Sequence, residues 1–157
     1  MSAPTAMSGV LCRLGAVSAL TAAAVAGPAV LPELAQQAEA ATVSAKALKI
    51  AASKKGALYQ YGAAGPGRFD CSGLTFYSFK KAGKKLPRTA GAQYNSVRHI
   101  RKSGRTRGDL VFFHYGSNVY HVGMYAGHGK IWHSPRPGGR VRLEKIWSRS
   151  VWYGRVK

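Results

Sequence analysis

The chain has 157 residues, 46% of them hydrophobic and 18% charged, which suits one packed domain and excludes a disordered or low-complexity protein. Two cysteines exclude a disulfide-stapled scaffold. Lys and Arg number 24 against 5 Asp and Glu, a formal charge of +19, so the chain is expected to concentrate at polyanions rather than at cationic partners.

The first 40 residues differ from the rest. Arg13 precedes an uncharged Ala-, Val- and Leu-rich run from Leu14 to Pro32, followed by a short polar stretch and Ala38-Glu39-Ala40. Small residues at a cleavage position after an apolar run are the layout of a secretory signal peptide, with Met7 as an alternative start. We expect residues 1–40 to be removed and 41–157 to form the mature domain; an uncleaved membrane anchor is the competing assignment. Residues 1–40 carry only Arg13 against Glu33 and Glu39, which leaves 23 basic and 3 acidic residues beyond them, a formal +20. Cys12 falls inside the leader, so the mature chain keeps a single thiol, Cys71. An odd cysteine in an exported protein is either a reactive thiol or a small buried bystander.

The spacing of Leu48, Ala51, Ala52 and Lys55 predicts a short amphipathic helix over 44–58. A Gly/Pro loop, 62–67, delivers the chain to Asp70-Cys71-Ser72-Gly73-Leu74, which opens a second helix stopped by Gly83. Residues 91–108 are polar, basic and without a clear period. Strands are predicted at 110–113, 119–126, 130–134, 141–143 and 151–153, so the fold class is α+β, helices first and then antiparallel strands.

Cys71 at a predicted helix start faces unpaired backbone N–H groups, with Asp70 as N-cap, a setting that favours a thiolate and fast reaction with alkylating agents. A small residue buried at a helix start satisfies the same sequence. His121 and His133 flank the turn Gly127-His128-Gly129, and a hairpin centred there sets them directly opposite, with Cβ atoms ~4.5–5.5 Å apart. One imidazole would then orient the other while that one serves as base to a thiol, the general arrangement of covalent catalysis. Two ordinary half-buried strand histidines satisfy the same spacing. His99, His114 and His128 sit in basic or turn-rich surroundings. Asp70, Asp109 and Glu144 are too few carboxylates to favour a metal site, and no phosphate-binding loop occurs, so no cofactor is expected.

Six blocks in order carry a resemblance. Leu58-Tyr59-Gln60-Tyr61-Gly62, Phe69-Asp70-Cys71-Ser72-Gly73-Leu74, Leu86-Pro87-Arg88-Thr89 with Gln93, Gly108-Asp109-Leu110-Val111-Phe112-Phe113, His121-Val122-Gly123-Met124-Tyr125 and Ile131-Trp132-His133-Ser134 together resemble the NlpC-type cell-wall cysteine endopeptidases over about residues 45–155. That resemblance implies a reduced papain-like fold, with the nucleophile-bearing helix among N-terminal helices packed on an antiparallel sheet. It implies hydrolysis in peptidoglycan stem peptides, typically between D-glutamate and the diamino acid. Cys71 would be the nucleophile, His121 the base and His133 its orienting residue. Tyr59, Asp70 and Ser72 would lie at the oxyanion or substrate. Ala63, Ala90 and Arg107 depart from residues common at those loop positions. An amidase or acyltransferase on the same fold, or a catalytically silent cationic wall-binding module, are the alternatives. The expected setting is a monomer, secreted and associated with the wall, with stem peptides and anionic wall polymers as partners. No nucleic-acid reader motif accompanies the charge, and no stable membrane association is expected after processing.

Overall fold

The computed structural model describes residues 32–157. The apolar run of the expected signal peptide, apart from Pro32, and Cys12 lie outside the described residues. Among those described, no helix is long and apolar enough to cross a membrane.

The first helix, α1, spans Pro32–Ser53. It starts twelve residues before the predicted helix and ends five short of it, because Lys54 to Gly56 form a turn and Leu58–Tyr59 pair as strand β1. It therefore passes through Ala38-Glu39-Ala40, where Glu39 meets Lys84 at 3.2 Å and Ala40 is buried. β1 runs parallel to β2, Arg68–Phe69, in a two-stranded sheet. Helix α2, Cys71–Ala82, has Asp70 as N-cap and Gly83 as a left-handed C-cap with φ of 102°, as the sequence predicts. Leu74 and Phe79, five residues apart, are fully buried, contributing roughly 2–3 kcal/mol each.

The segment without a clear period, 91–108, holds helix α3 (Ala90–Ser96), strand β3 (Arg98–Ile100) and a 3-10 turn (Lys102–Gly104). Five longer strands follow: β4 (Leu110–Tyr115), β5 (Asn118–Gly127), β6 (Lys130–His133), β7 (Arg142–Lys145) and β8 (Val151–Arg155). With β3 they form one antiparallel six-stranded sheet in the order β3-β8-β4-β5-β6-β7. β4 is buried on both faces. Leu110 and Phe112 join the core under the helices, while Val111 and Phe113 join a smaller cluster with Tyr125, Ile131 and Tyr153 on the opposite face.

Buried polar pairs lock these layers. Gln93, wholly buried, donates to the carbonyls of Ser72 (3.0 Å) and Pro87 (2.9 Å) and accepts from Thr75 Oγ1 (2.7 Å), tying α3 to α2. Asp109, also wholly buried, accepts from Arg155 Nε and Nη2, each at 2.8 Å, joining the loop before β4 to β8.

Candidate active site

The loop 62–67 and the start of α2 are held by one carboxylate. Asp70 accepts from the N–H of Gly73 (2.6 Å), the N–H of Gly62 (2.8 Å), and Arg88 Nη1 (3.0 Å) and Nη2 (2.5 Å). Ser72 Oγ donates to the same carboxylate at 3.4 Å and accepts from Arg88 Nη1 at 3.0 Å. Both Asp70 and Ser72 are buried. The loop also presses directly on the helix: a Cβ on Gly73 would stand 2.0 Å from the Ala63 carbonyl oxygen. Together these contacts fix the position of Cys71 at the first turn. Behind it, Ser134 Oγ at the end of β6 donates to the Phe69 carbonyl at 2.7 Å.

The Cys71 thiol lies alongside β5, where backbone N–H groups of Val122, Ser72 and Cys71 itself pull its pKa down. Burial outweighs them and, with the Asp70 charge, pushes the thiol up. The helix-start effect expected from the sequence is present but loses to desolvation, so at neutral pH the resting group is a thiol, not a thiolate. Tyr59 stands close enough that Cys71 and Asp70, after burial, raise its own pKa.

His121, immediately before Val122, is buried, and burial with the neighbouring His133 lowers its pKa to about 3. Its Nε2 lies 2.9 Å from His133 Nδ1. The two histidines share a face as predicted, but they are not directly opposite. The hairpin turns on His128 and Gly129 rather than around Gly127, and a bulge between Tyr125 and Gly127 then sets Met124 against Trp132, which keeps both histidines on one face. One step on, that register sets Gly123 beside His133, and a Cβ there would stand 3.2 Å from the His133 Cβ. The missing side chain leaves room for the imidazoles to meet on the diagonal, nearly perpendicular at 88°.

A residue that sequence reasoning left aside completes the series. His133 Nε2 lies 2.9 Å from Glu144 Oε2 on β7, the same oxygen that accepts from Arg142 Nε at 2.8 Å. These contacts hold the Glu144 carboxyl below its usual pKa, so it is an acceptor only. His133 must then carry its proton on Nε2 and offer the Nδ1 lone pair to His121. His121 in turn donates through Nε2, which leaves its own Nδ1 as a free base. Trp147, half exposed, closes one side of both rings at centroid distances of 5.5 and 5.2 Å and stacks on Phe113 at 4.1 Å. A cavity of about 370 Å³ opens beside Tyr120, the two histidines, Arg142, Glu144 and Trp147. A neutral thiol beside a β-strand whose adjacent histidine is held in one tautomer can attack a carbonyl and pass its proton to that histidine.

Arg88, Trp147 and Glu144 were not assigned to the site from sequence. Arg88 lies 18 residues from its carboxylate, and Glu144 meets His133 only through the β6–β7 pairing of His133 with Arg142. For Arg88 the one signal was its place in the Leu86–Thr89 block.

The NlpC/P60 family profile matches residues 56–156. Among curated proteins the chain is 47% identical over 106 residues to the probable endopeptidase p60 of Listeria monocytogenes, covering 64% of this chain and 22% of that protein. It is 43% identical over 123 residues to a bifunctional muramidase/DL-endopeptidase of Bacillus subtilis, covering 74% of this chain and 36% of that one. It thus spans about a fifth to a third of the length of these two relatives. Among solved structures, the P60 domain of an antigen from M. avium subspecies paratuberculosis superposes with a TM-score of 0.68 at 30% identity, over 74% of this chain and 96% of that one. The α+β architecture is the papain-like one of these neighbours.

Proposed function

The chain belongs to the NlpC/P60 family, and on that premise we propose that it is a secreted cysteine peptidase that hydrolyses peptidoglycan stem peptides at the bond between D-glutamate and the diamino acid. The observation that carries this reading is the hydrogen-bonded series from His121 through His133 to Glu144, set behind the strand residue against which the Cys71 thiol lies. The names of the relatives, an endopeptidase and a DL-endopeptidase, support the reaction and the bond.

In this mechanism Cys71 Sγ attacks the carbonyl carbon while its proton passes to His121 Nδ1. The oxyanion accepts from the Cys71 backbone N–H and the Tyr59 hydroxyl. Collapse breaks the C–N bond, and the leaving amine takes the proton from His121. Water then attacks the thioester, His121 takes a proton from it, and the thiol is restored as the carboxylic acid leaves. His133 holds the His121 tautomer throughout. The Asp70 carboxylate is occupied by Gly62, Gly73 and Arg88, so its part is to shape the substrate end of the cleft, with Ser72 and the Arg88 guanidinium nearest to it. The leader, residues 1–40, directs export. The mature domain works as a monomer in the wall, held near anionic polymers by its charge and needing no cofactor.

Mass spectrometry of muropeptides after digestion with the purified protein tests the bond and the residues together. Stem peptides cut after D-glutamate are expected from the native protein. Cys71→Ala should release none, His121→Ala almost none, and His133→Ala a reduced but measurable amount. Release of whole stems from muramic acid would identify an amidase instead. An active Cys71→Ala protein would refute the mechanism.

A further inference from the structure

A second concavity, of about 640 Å³, lies at the β3–β8 edge, outside the hydrolytic machinery. The loop between β7 and β8 separates it from the cavity beside the two histidines: Trp147 lines that one, while its neighbours Ile146 and Ser148 line this one. Its wall contains Lys102, Arg105 and Arg149 and no carboxylate. None of the three forms an ion pair among the described residues. Lys102 and Arg149 are exposed. Arg105 is held over the rings of Tyr125 and Tyr153, 5.0 and 5.4 Å from their centroids, donates through Nη1 to the Lys102 carbonyl, and leaves a buried Nε with no partner. A guanidinium fixed by aromatic rings in a wall without a carboxylate is a preorganised anion site.

The aromatic residues of this wall narrow the ligand. Trp152 is covered on its faces by Tyr94 at 4.7 Å and His114 at 3.6 Å, and Tyr94 stacks in turn on His99 at 4.1 Å. Arg105 occupies the Tyr153 ring. With Trp152 and Tyr94 already stacked, only His99 presents a ring face, too little for successive nucleobases to stack, the usual contact of single-stranded nucleic acid. What the wall offers is cations and hydroxyls, the latter from Ser148, Tyr94 and Tyr153.

We propose that this concavity binds a phosphodiester-linked polyol chain of the wall, phosphates on Lys102, Arg105 and Arg149 and hydroxyls on the Ser and Tyr groups. The site gives the polyanion attraction of the preceding section a location, and it rests on that reading for the wall setting alone. It tethers the enzyme to anionic polymer by a face other than the one that meets the stem peptide.

The test is a titration of the isotope-labelled protein with poly(glycerol phosphate), followed by amide NMR shifts. Shifts should map to Gly129, Ser148, Arg149 and Tyr153. Lys102→Gln with Arg149→Gln, both exposed, should weaken binding roughly tenfold, while Lys46→Gln with Lys49→Gln, the same charge removed from α1, should change it less than about twofold. Equal losses in the two pairs, or shifts scattered over the basic surface, would overturn the site in favour of diffuse charge. An oligothymidylate of matched charge that shifts the same amides with equal affinity would overturn the polyol class. Muropeptide release from polymer-stripped walls is expected to be unchanged in Lys102→Gln/Arg149→Gln, so a failed tether and a failed peptidase give different results.

Discussion

Glu144 fixes the proton positions of both histidines without touching the thiol, and replacing it measures that arrangement. In Glu144→Gln the side-chain oxygen can still accept from His133 Nε2 and Arg142 Nε, so the variant loses charge but keeps an acceptor. A hydrogen bond to a charged group contributes ~1.5–3 kcal/mol and a neutral one ~0.5–1.5. The carboxylate is 37% exposed and shares one oxygen between two donors, which places the difference near the lower end, about 1 kcal/mol, or a roughly fivefold fall in kcat. Glu144→Ala removes the acceptor. His133 is then free to carry its proton on Nδ1, where it meets the His121 Nε2–H and drives that proton to His121 Nδ1, blocking the base. That variant should lose about 10- to 50-fold in kcat, 1.4–2.3 kcal/mol at ~1.4 kcal/mol per factor of ten. The assay is steady-state hydrolysis of a purified muropeptide, paired with imidazole nitrogen shifts that report the tautomers. Full kcat in Glu144→Ala with unmixed tautomers would refute the relay, and a change in KM alone would make Glu144 a substrate contact instead.

Three further outcomes follow from the same geometry. His121 stays neutral in the folded protein down to about pH 3 but takes up a proton near pH 6.5 when unfolded; the unfolded state therefore binds more protons between these values, and stability should be complete above about 6.5 and fall on acidification by up to ~5 kcal/mol, as denaturant midpoints would show. His121→Gln should flatten that dependence, and an equally steep loss in the variant would assign it to other groups. Alkylation of Cys71 by iodoacetamide should accelerate through a pKa above that of an ordinary cysteine, because burial raises it; a plateau already reached at neutral pH would contradict this. Gly73→Ala should destabilise by ~3 kcal/mol or more in thermal unfolding despite a helix-propensity gain of ~1 kcal/mol, since the added Cβ meets a backbone carbonyl at 2.0 Å that no side-chain rotation relieves. A more stable variant would show that the 62–64 loop can move away.

What the sequence revealed tracked how local each determinant was. Helix α2 was legible from end to end because its cap, its buried face and its terminal glycine lie within fourteen residues. The shared face of His121 and His133 was legible because strand parity survives a shift of two. Their register was not, since it depends on a turn placed at His128 and Gly129 and on a bulge four to six residues from His121, neither of which leaves a mark in composition. The stretch 91–108 stayed unreadable because its helix has seven residues and its strand three, too short for either period to emerge. Glu144 was visible only as one of few acids, because its partner lies across a turn-rich loop whose length does not set the β6–β7 pairing. The thiol was expected to be acidic from its place at a helix start, yet its pKa is decided by how deeply it is buried, a property of the whole fold.

The path of α1 bears on the proposed removal of a leader. A leader peptidase works on an extended strand, and in the folded protein Ala38-Glu39-Ala40 is coiled into the helix, with Glu39 paired to Lys84 and Ala40 packed inward. If residues 1–40 are a leader, as proposed, scission there has to come before this helix docks. Once made, it shortens α1 to the part that begins at Ala41 and removes the Glu39 partner of Lys84. On that proposal folding and leader removal compete, and a slow peptidase would leave behind a folded molecule that still carries residues 1–40.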